Sequence, residues 1–155
     1  MSQGKLGHRI ASMSQCFKTQ INIKFHQADP AGIMYFAHIF TLAHDIFEQF
    51  IVHCGFNWNE WFLTGPTAMP IRQTECDYLR PFKAGECYDV EVSVTDFSSS
   101  TIKIRYEFFK NQNKHAVVKM VHIGLDSHTF QKINLPEAIR QKFQPYFNED
   151  THGSK

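Results

Sequence analysis

From Thr19 to Phe25 polar and apolar residues alternate, with Ile21, Ile23 and Phe25 on one face, the period-two pattern of a half-buried strand. Past Asp29-Pro30-Ala31-Gly32 the period lengthens: Phe36, Phe40, Ala43, Phe47 and Phe50 fall at i, i+4, i+7, i+11 and i+14. This spacing predicts a helix over 35–54, with Gly55 as its stop. Its apolar residues exceed one narrow stripe, so other elements should wrap it. A short helical turn is expected over 57–63, broken at Thr64-Gly65-Pro66. Strand-like runs then return over 68–78, 86–97, 101–110 and 115–125, with clean alternation in the second and third and a nearly continuous β-branched run in the fourth, separated by turns at 80–85 and 111–114. A last short helix should start near Asn134 or Leu135, with Pro136 in its first turn. One strand, one long helix and a run of consecutive strands give an α+β class, with a helix wrapped by a curled antiparallel sheet. An edge strand of such a sheet calls for cover, which a second subunit can provide.

Composition narrows the function classes. The 155 residues suffice for one domain with a core of its own. We place that domain at 18–147, between a leader at 1–17 and a tail at 148–155. The formal charge of +1 offers no basic field for nucleic acid. No run of uninterrupted apolar residues is long enough to span a membrane, and the leader lacks the apolar stretch of a signal peptide. Cys16, Cys54, Cys76 and Cys87 are irregularly spaced and read as reduced thiols, so a cytoplasmic location is expected, without metal or cofactor. Fifteen phenylalanines imply a Phe-rich core or an apolar pocket.

The chemistry concentrates in the strand-to-helix junction. Asp29 stands just ahead of a helix start, where unpaired N–H groups and the positive end of the dipole gather. A carboxylate beside aimed N–H donors is what hydrolysis of an activated carbonyl requires. The competing reading is plain turn chemistry, since Asp before Pro and Gly is a common turn residue.

Two segments carry a family resemblance. Phe25 to Phe36 reads F-x-x-x-D-P-A-G-I-x-Y-F and leads into Ala37-His38 and an aromatic-rich helix. Cys76 to Glu86 is similar to a Y-x-R-P-x-x-x-G-D turn. Together they resemble the hotdog-fold acyl-CoA thioesterases of the 4-hydroxybenzoyl-CoA thioesterase type, over about residues 21–143. The helix from Tyr35 to Asp45 further resembles the branch acting on 1,4-dihydroxy-2-naphthoyl-CoA; Gln27-Ala28 and His44-Asp45 depart from the commoner forms and bear on acyl specificity. The resemblance implies an acyl-CoA substrate and a homodimer or homotetramer with sites at the subunit interface. It implies Asp29 as nucleophile or general base, the Phe36 backbone N–H as the donor that polarises the thioester carbonyl, and Gly32 as the point of close approach to substrate.

Other candidates stand on residue chemistry. Tyr35, Phe36 and Phe40 could line an aromatic acyl pocket, and His26 stands close enough in sequence to touch the thioester or water. Arg72, Arg80, Lys83, Lys103 and Arg105 are candidate CoA-phosphate binders, with Arg80 and Lys83 in the matched turn. His38, Thr41, Asp45 and Glu48 form a polar stripe; His44, Asp45 and Glu48 could hold a metal, but a solvated stripe is the simpler reading. Glu48 is also a reserve catalytic acid. Two alternatives share the architecture: a dehydratase or hydratase acting on acyl thioesters, and a non-catalytic module binding acyl-CoA or an acyl-carrier partner.

Overall fold

The computed structural model describes residues 14–149; most of the leader and most of the tail lie outside the described residues. Seven strands and two helices follow in chain order: β1 (Phe17–Asn22), α1 (His38–His53), β2 (Thr67–Ala68), β3 (Ile71–Tyr78), β4 (Cys87–Phe97), β5 (Thr101–Lys110), β6 (Asn113–Ile123), β7 (Leu125–Asp126) and α2 (Glu137–Phe143). Five strands form one antiparallel sheet in the order β1-β4-β5-β6-β3, and β2 pairs with β7. Among the described residues, no helix is long and apolar enough to cross a membrane.

The sheet's inner face carries Val90, Val92 and Val94 from β4, Ile102, Ile104, Tyr106 and Phe108 from β5, and Ala116, Val118 and Met120 from β6, all buried. Against it α1 buries Ile39, Leu42, Ala43, Ile46, Phe47, Phe50 and Ile51, the broad stripe its sequence demanded. Each such large side chain contributes about 1.5–3 kcal/mol on leaving water. Aromatic packing extends the core toward α2: Phe50 lies 5.6 Å from Phe143 and 5.1 Å from Tyr146.

Several boundaries differ from the sequence expectation, each for a local reason. β1 ends at Asn22 and a 3-10 turn over Phe25–Gln27 follows, so Ile23 is buried while Phe25, expected on the same face, points outward. The helix begins at His38, not at residue 35, because Tyr35–His38 forms a separate turn closed by the His38 N–H on the Tyr35 carbonyl. The run over 68–78 is two strands: Pro70, which has no N–H to give a ladder, separates β2 from β3. The run over 115–125 begins at Asn113 and breaks at Gly124. Lys110 pairs with Asn113 across a two-residue loop, where Asn111 and Gln112 both adopt positive φ (48° and 64°), the hand that matches strand twist. Residues 60–64 form a π-turn, closed by the Gly65 N–H on the Glu60 carbonyl at 2.7 Å. A Cβ at position 65 would stand 2.3 Å from that carbonyl oxygen, so only glycine fits. α2 starts one or two residues later than expected, with Pro136 as its N-cap and not inside its first turn.

The two sheet edges differ. β1 is six residues long and alternates half-buried with exposed positions. Among the described residues β3 has β6 as its one sheet neighbour, and every β3 residue but Cys76 is exposed.

Candidate active site

The loop from Lys24 to Ala37 is built by backbone hydrogen bonds that place a carboxylate and unpaired amides at its two ends. Gln27 Oε1 accepts from Lys24 N–H at 2.8 Å, and the Tyr35 N–H reaches the Gln27 carbonyl at 2.9 Å. The Asp29 N–H donates to the Ile33 carbonyl and the Gly32 N–H to the Asp29 carbonyl, each at 2.9 Å. Gly32 takes φ +77°, the left-handed conformation that lets the chain double back. The hairpin is then tied to the turn after β3: Met34 N–H donates to the Phe82 carbonyl at 2.7 Å, and Ala84 N–H to the Gly32 carbonyl at 3.2 Å. Tyr88 fastens that turn, donating to Glu86 at 2.9 Å while its hydroxyl accepts the Lys83 N–H at 2.8 Å. The Lys110 ammonium beside Glu86, together with Tyr88, holds the Glu86 carboxyl below the usual carboxylate range. The two matched segments of the sequence are thus one structural unit.

Asp29 is half-buried. Its Oδ1 accepts the Ala31 N–H at 2.8 Å, and Oδ2 has no hydrogen-bond partner among the described residues. The turn reading and the chemical reading therefore coexist: one oxygen fixes the loop, the other is available. At the loop's far end the Phe36 and Ala37 amides lie ahead of α1 and have no backbone acceptor among the described residues. The Phe36 amide thus belongs to a turn that feeds the helix, not to the helix as expected. Tyr78 on β3 donates its hydroxyl to the Phe36 carbonyl, which fixes the plane of the peptide at that turn. Burial raises the Tyr78 hydroxyl well above its ordinary pKa, so it remains a donor.

A cleft of about 320 Å³ opens here, lined by Ile33, Met34, Phe36, Tyr78, Leu79 and Arg80, with Pro81 and Phe82 completing it. Phe36 and Arg80 are the predicted site residues that line it. Asp29 stands behind Ile33 in the same hairpin and does not line the cleft in the single chain. Tyr35 and Phe36 are 50% and 59% exposed and pack ring to ring at 4.8 Å. Gly32 has nothing within 4 Å of where a Cβ would stand, so the space above it is open. His26 is exposed in the 3-10 turn.

The cations separate into engaged and open. Arg80 is spent structurally, its Nη1 donating to the Lys114 carbonyl at 2.6 Å. Arg105 pairs with Glu107 at 3.0 Å. Lys83 is exposed beside the hairpin, and its backbone forms a bridge with Ile33. On α1, Glu48 accepts the Trp58 indole N–H at 2.9 Å and lies 3.7 Å from His44 Nδ1, an arrangement that ties Trp58 to the helix.

Three features escape sequence reasoning. Tyr78 stood inside the matched turn, but only the fold shows its hydroxyl reaching Phe36. His122 is 1% exposed, stacks 4.3 Å from Phe47, and bonds the Met69 carbonyl through Nδ1 at 3.0 Å while Nε2 is unpartnered. Burial drives its pKa down to about 4, so the ring is neutral. Phe130 is 69% exposed at φ +55°, a rare conformation for a bulky residue; nothing in its local sequence announces it.

Comparison with known proteins agrees with this architecture. The profile of the thioesterase-like superfamily matches residues 23–143. A 1,4-dihydroxy-2-naphthoyl-CoA hydrolase of Synechococcus elongatus is 29% identical over 129 residues, covering 83% of this chain and 95% of its own length. A solved 1,4-dihydroxy-2-naphthoyl-CoA thioesterase of Synechocystis superposes with a TM-score of 0.76 at 18% identity, over 90% of this chain and all of the other. A Staphylococcus aureus protein solved in complex with CoA gives 0.78 at 16% identity, over 92% of this chain and 90% of its own. These structures share the hotdog fold with this chain.

Proposed function

The chain belongs to the thioesterase-like superfamily, and on that premise we propose how this thioester hydrolase works: Asp29 attacks the acyl-CoA carbonyl, or deprotonates the water that does, while the Phe36 N–H holds the developing oxyanion. As nucleophile, the carboxylate adds to the carbonyl carbon, the C–S bond breaks to expel the CoA thiolate, and water then cleaves the resulting anhydride. As general base, it takes a proton from water, which adds directly, and the same C–S bond breaks. Both routes yield free CoA and a carboxylic acid. One aimed N–H donor of this kind is worth on the order of 3 kcal/mol of transition-state stabilisation.

The observation that carries this reading is the hairpin itself. Among the described residues one Asp29 oxygen anchors the turn at Ala31 and the other has no partner, while the Phe36 amide has no acceptor, its own peptide held through the Tyr35 carbonyl by the His38 N–H and the next peptide held by Tyr78. A mere turn residue would need neither the second amide nor its tether. We assign an aromatic or medium-sized acyl group, in keeping with the exposed Tyr35–Phe36 pair and the naphthoyl thioesters named for the relatives. Lys83, exposed and bridged to Ile33 through its backbone, supplies a cation beside the hairpin for the CoA phosphates. The bare edge and exposed face of β3 are read as the surface through which two copies associate.

A thiol-release assay across aliphatic and aromatic acyl-CoAs tests the reading. Release with saturation kinetics on at least one aromatic thioester is expected. Water addition to an enoyl-CoA without CoA release would point to a hydratase, and CoA binding without turnover to a binding module.

A further inference from the structure

A row of hydrogen bonds runs from the main chain of Asp29 to the Glu86 carboxylate, and every donor in it points toward Glu86. The Tyr88 hydroxyl donates to Glu86 Oε2 at 2.9 Å and accepts the Lys83 N–H at 2.8 Å. That N–H belongs to the same peptide group as the Phe82 carbonyl, which accepts the Met34 N–H at 2.7 Å. The Met34 N–H in turn shares its peptide group with the Ile33 carbonyl, the acceptor of the Asp29 N–H at 2.9 Å. Two peptide groups and one hydroxyl thus join a carboxylate on the turn after β3 to the residue proposed to act on the thioester.

Links arranged head to tail polarise one another, so each is stronger than it would be alone. The row ends on a charge. Lys110 Nζ stands 3.0 Å from Glu86 Oε2 and, with Tyr88, holds that carboxyl below the usual carboxylate range. A hydroxyl donating to an ionised carboxylate makes a stronger bond than one between neutral groups. Burial raises the Tyr88 hydroxyl above its ordinary pKa, so it keeps the proton it donates. Its ring is 1% exposed and packs 4.6 Å from Phe82 and 4.9 Å from His115, which leaves the hydroxyl little freedom. His115 braces the neighbouring peptide, its Nδ1–H donating to the Pro81 carbonyl at 3.0 Å; the proton must sit on Nδ1, because a carbonyl only accepts. Phe82 is therefore held at both of its peptide groups, by His115 and by Tyr88.

We propose that Tyr88 is a positioning residue for the hydrolysis: its hydroxyl sets the Phe82–Lys83 peptide, through it the Met34 amide, and so the place of Asp29 in its hairpin. The proposal rests on the hydrolase reading of Asp29. Oδ1 of that residue is committed to the Ala31 N–H, so the backbone of Asp29 decides where Oδ2 is presented. Met34 stands two positions before Phe36, so the same link steadies the carboxylate and the amide meant to face it. Tyr88 does not line the Phe36–Tyr78 cleft, and its effect passes through the row alone.

Y88F keeps the buried ring and removes only the hydroxyl. Its kcat for thiol release should fall roughly three- to tenfold, the order set by one net hydrogen bond, with KM nearly unchanged. E86Q still accepts the hydroxyl but carries no charge, and its kcat should fall between wild type and Y88F. Amide exchange followed by NMR reads the row without turnover. The Met34 and Asp29 amides should exchange roughly three- to tenfold faster in Y88F, while Val92 in β4 keeps its wild-type rate. Wild-type kcat in Y88F overturns the proposal. So does faster exchange spread evenly over the sheet, which marks a general loss of stability, and so does a lowered kcat with Met34 and Asp29 exchange unmoved. Should Y88F fail to fold, E86A leaves ring and hydroxyl in place and carries the same expectations. Wild-type release with an unaffected Y88F condemns only the role of Tyr88; absence of wild-type release condemns the hydrolase reading and this one with it.

Discussion

Asp29 holds its turn with one oxygen and keeps the other without a partner among the described residues, which is why its sequence context reads equally well as turn chemistry and as a candidate catalytic acid. Pro30 and Gly32 build the turn, Oδ1 closes it on Ala31, and Oδ2 is left over. The motif was legible because its spacing is fixed by the loop: the chain must reverse at Gly32 to bring the residue 36 amide to the end of the same hairpin. Tyr78 was not legible as a site residue, because the contact that matters spans forty-two positions. Two predictions belong at this scale. Tyr78→Phe leaves the fold intact but frees the Phe36–Ala37 peptide, which adjoins the proposed donor, so kcat should fall several-fold with little change in KM in steady-state assays. Gly32→Ala meets no steric neighbour but must hold φ near +77°, and should lower thermal-unfolding stability by about 1 kcal/mol. A larger loss would mean that the hairpin depends on more than backbone conformation.

Elements repeat the lesson at a longer range. β4 and β5 were readable from alternation because one of their faces is buried; Val90, Val92 and Val94 mark β4 unmistakably. Where packing weakens, so does the signal. The start of α1 shifted three residues because the Tyr35–His38 turn precedes it, and the π-turn over Glu60–Thr64 is set by Gly65 and the aromatic cluster around Trp61, not by helix periodicity. β3 is the instructive case: an eight-residue strand with an exposed face is a poor free edge. Analytical ultracentrifugation should give an even multiple of the 18.0 kDa chain mass. Thr74→Pro, in the middle of that edge, should yield the single-chain mass together with loss of turnover. A wild-type monomer at full activity would contradict association through β3.

For the whole molecule, stability is coupled to pH through His122, buried between helix and sheet against Phe47. Its folded pKa, pressed down to about 4 by burial, lies below the ordinary value of 6.5. Between those two values the unfolded chain binds a proton that the folded protein refuses. Stability from this group is therefore complete above about pH 6.5 and is lost as pH falls toward 4, by on the order of 3 kcal/mol. His122→Gln should flatten that acid limb in urea titrations run from pH 7 to pH 4, and a variant that retains the wild-type slope would assign it to other groups. Thiol reactivity should follow the same logic of burial. Cys54 and Cys76, pushed up to about 12 and about 11 by desolvation, should react slowly with an alkylating reagent near neutral pH, while exposed Cys87 reacts first.

The proposed hydrolysis depends on one carboxylate, and the decisive measurement is the turnover of Asp29→Asn against wild type on the best acyl-CoA. With the fold unchanged by circular dichroism, kcat should drop by on the order of 10²–10⁴-fold while CoA still binds. A folded variant that keeps most of its turnover would show that the hydrolytic group lies elsewhere.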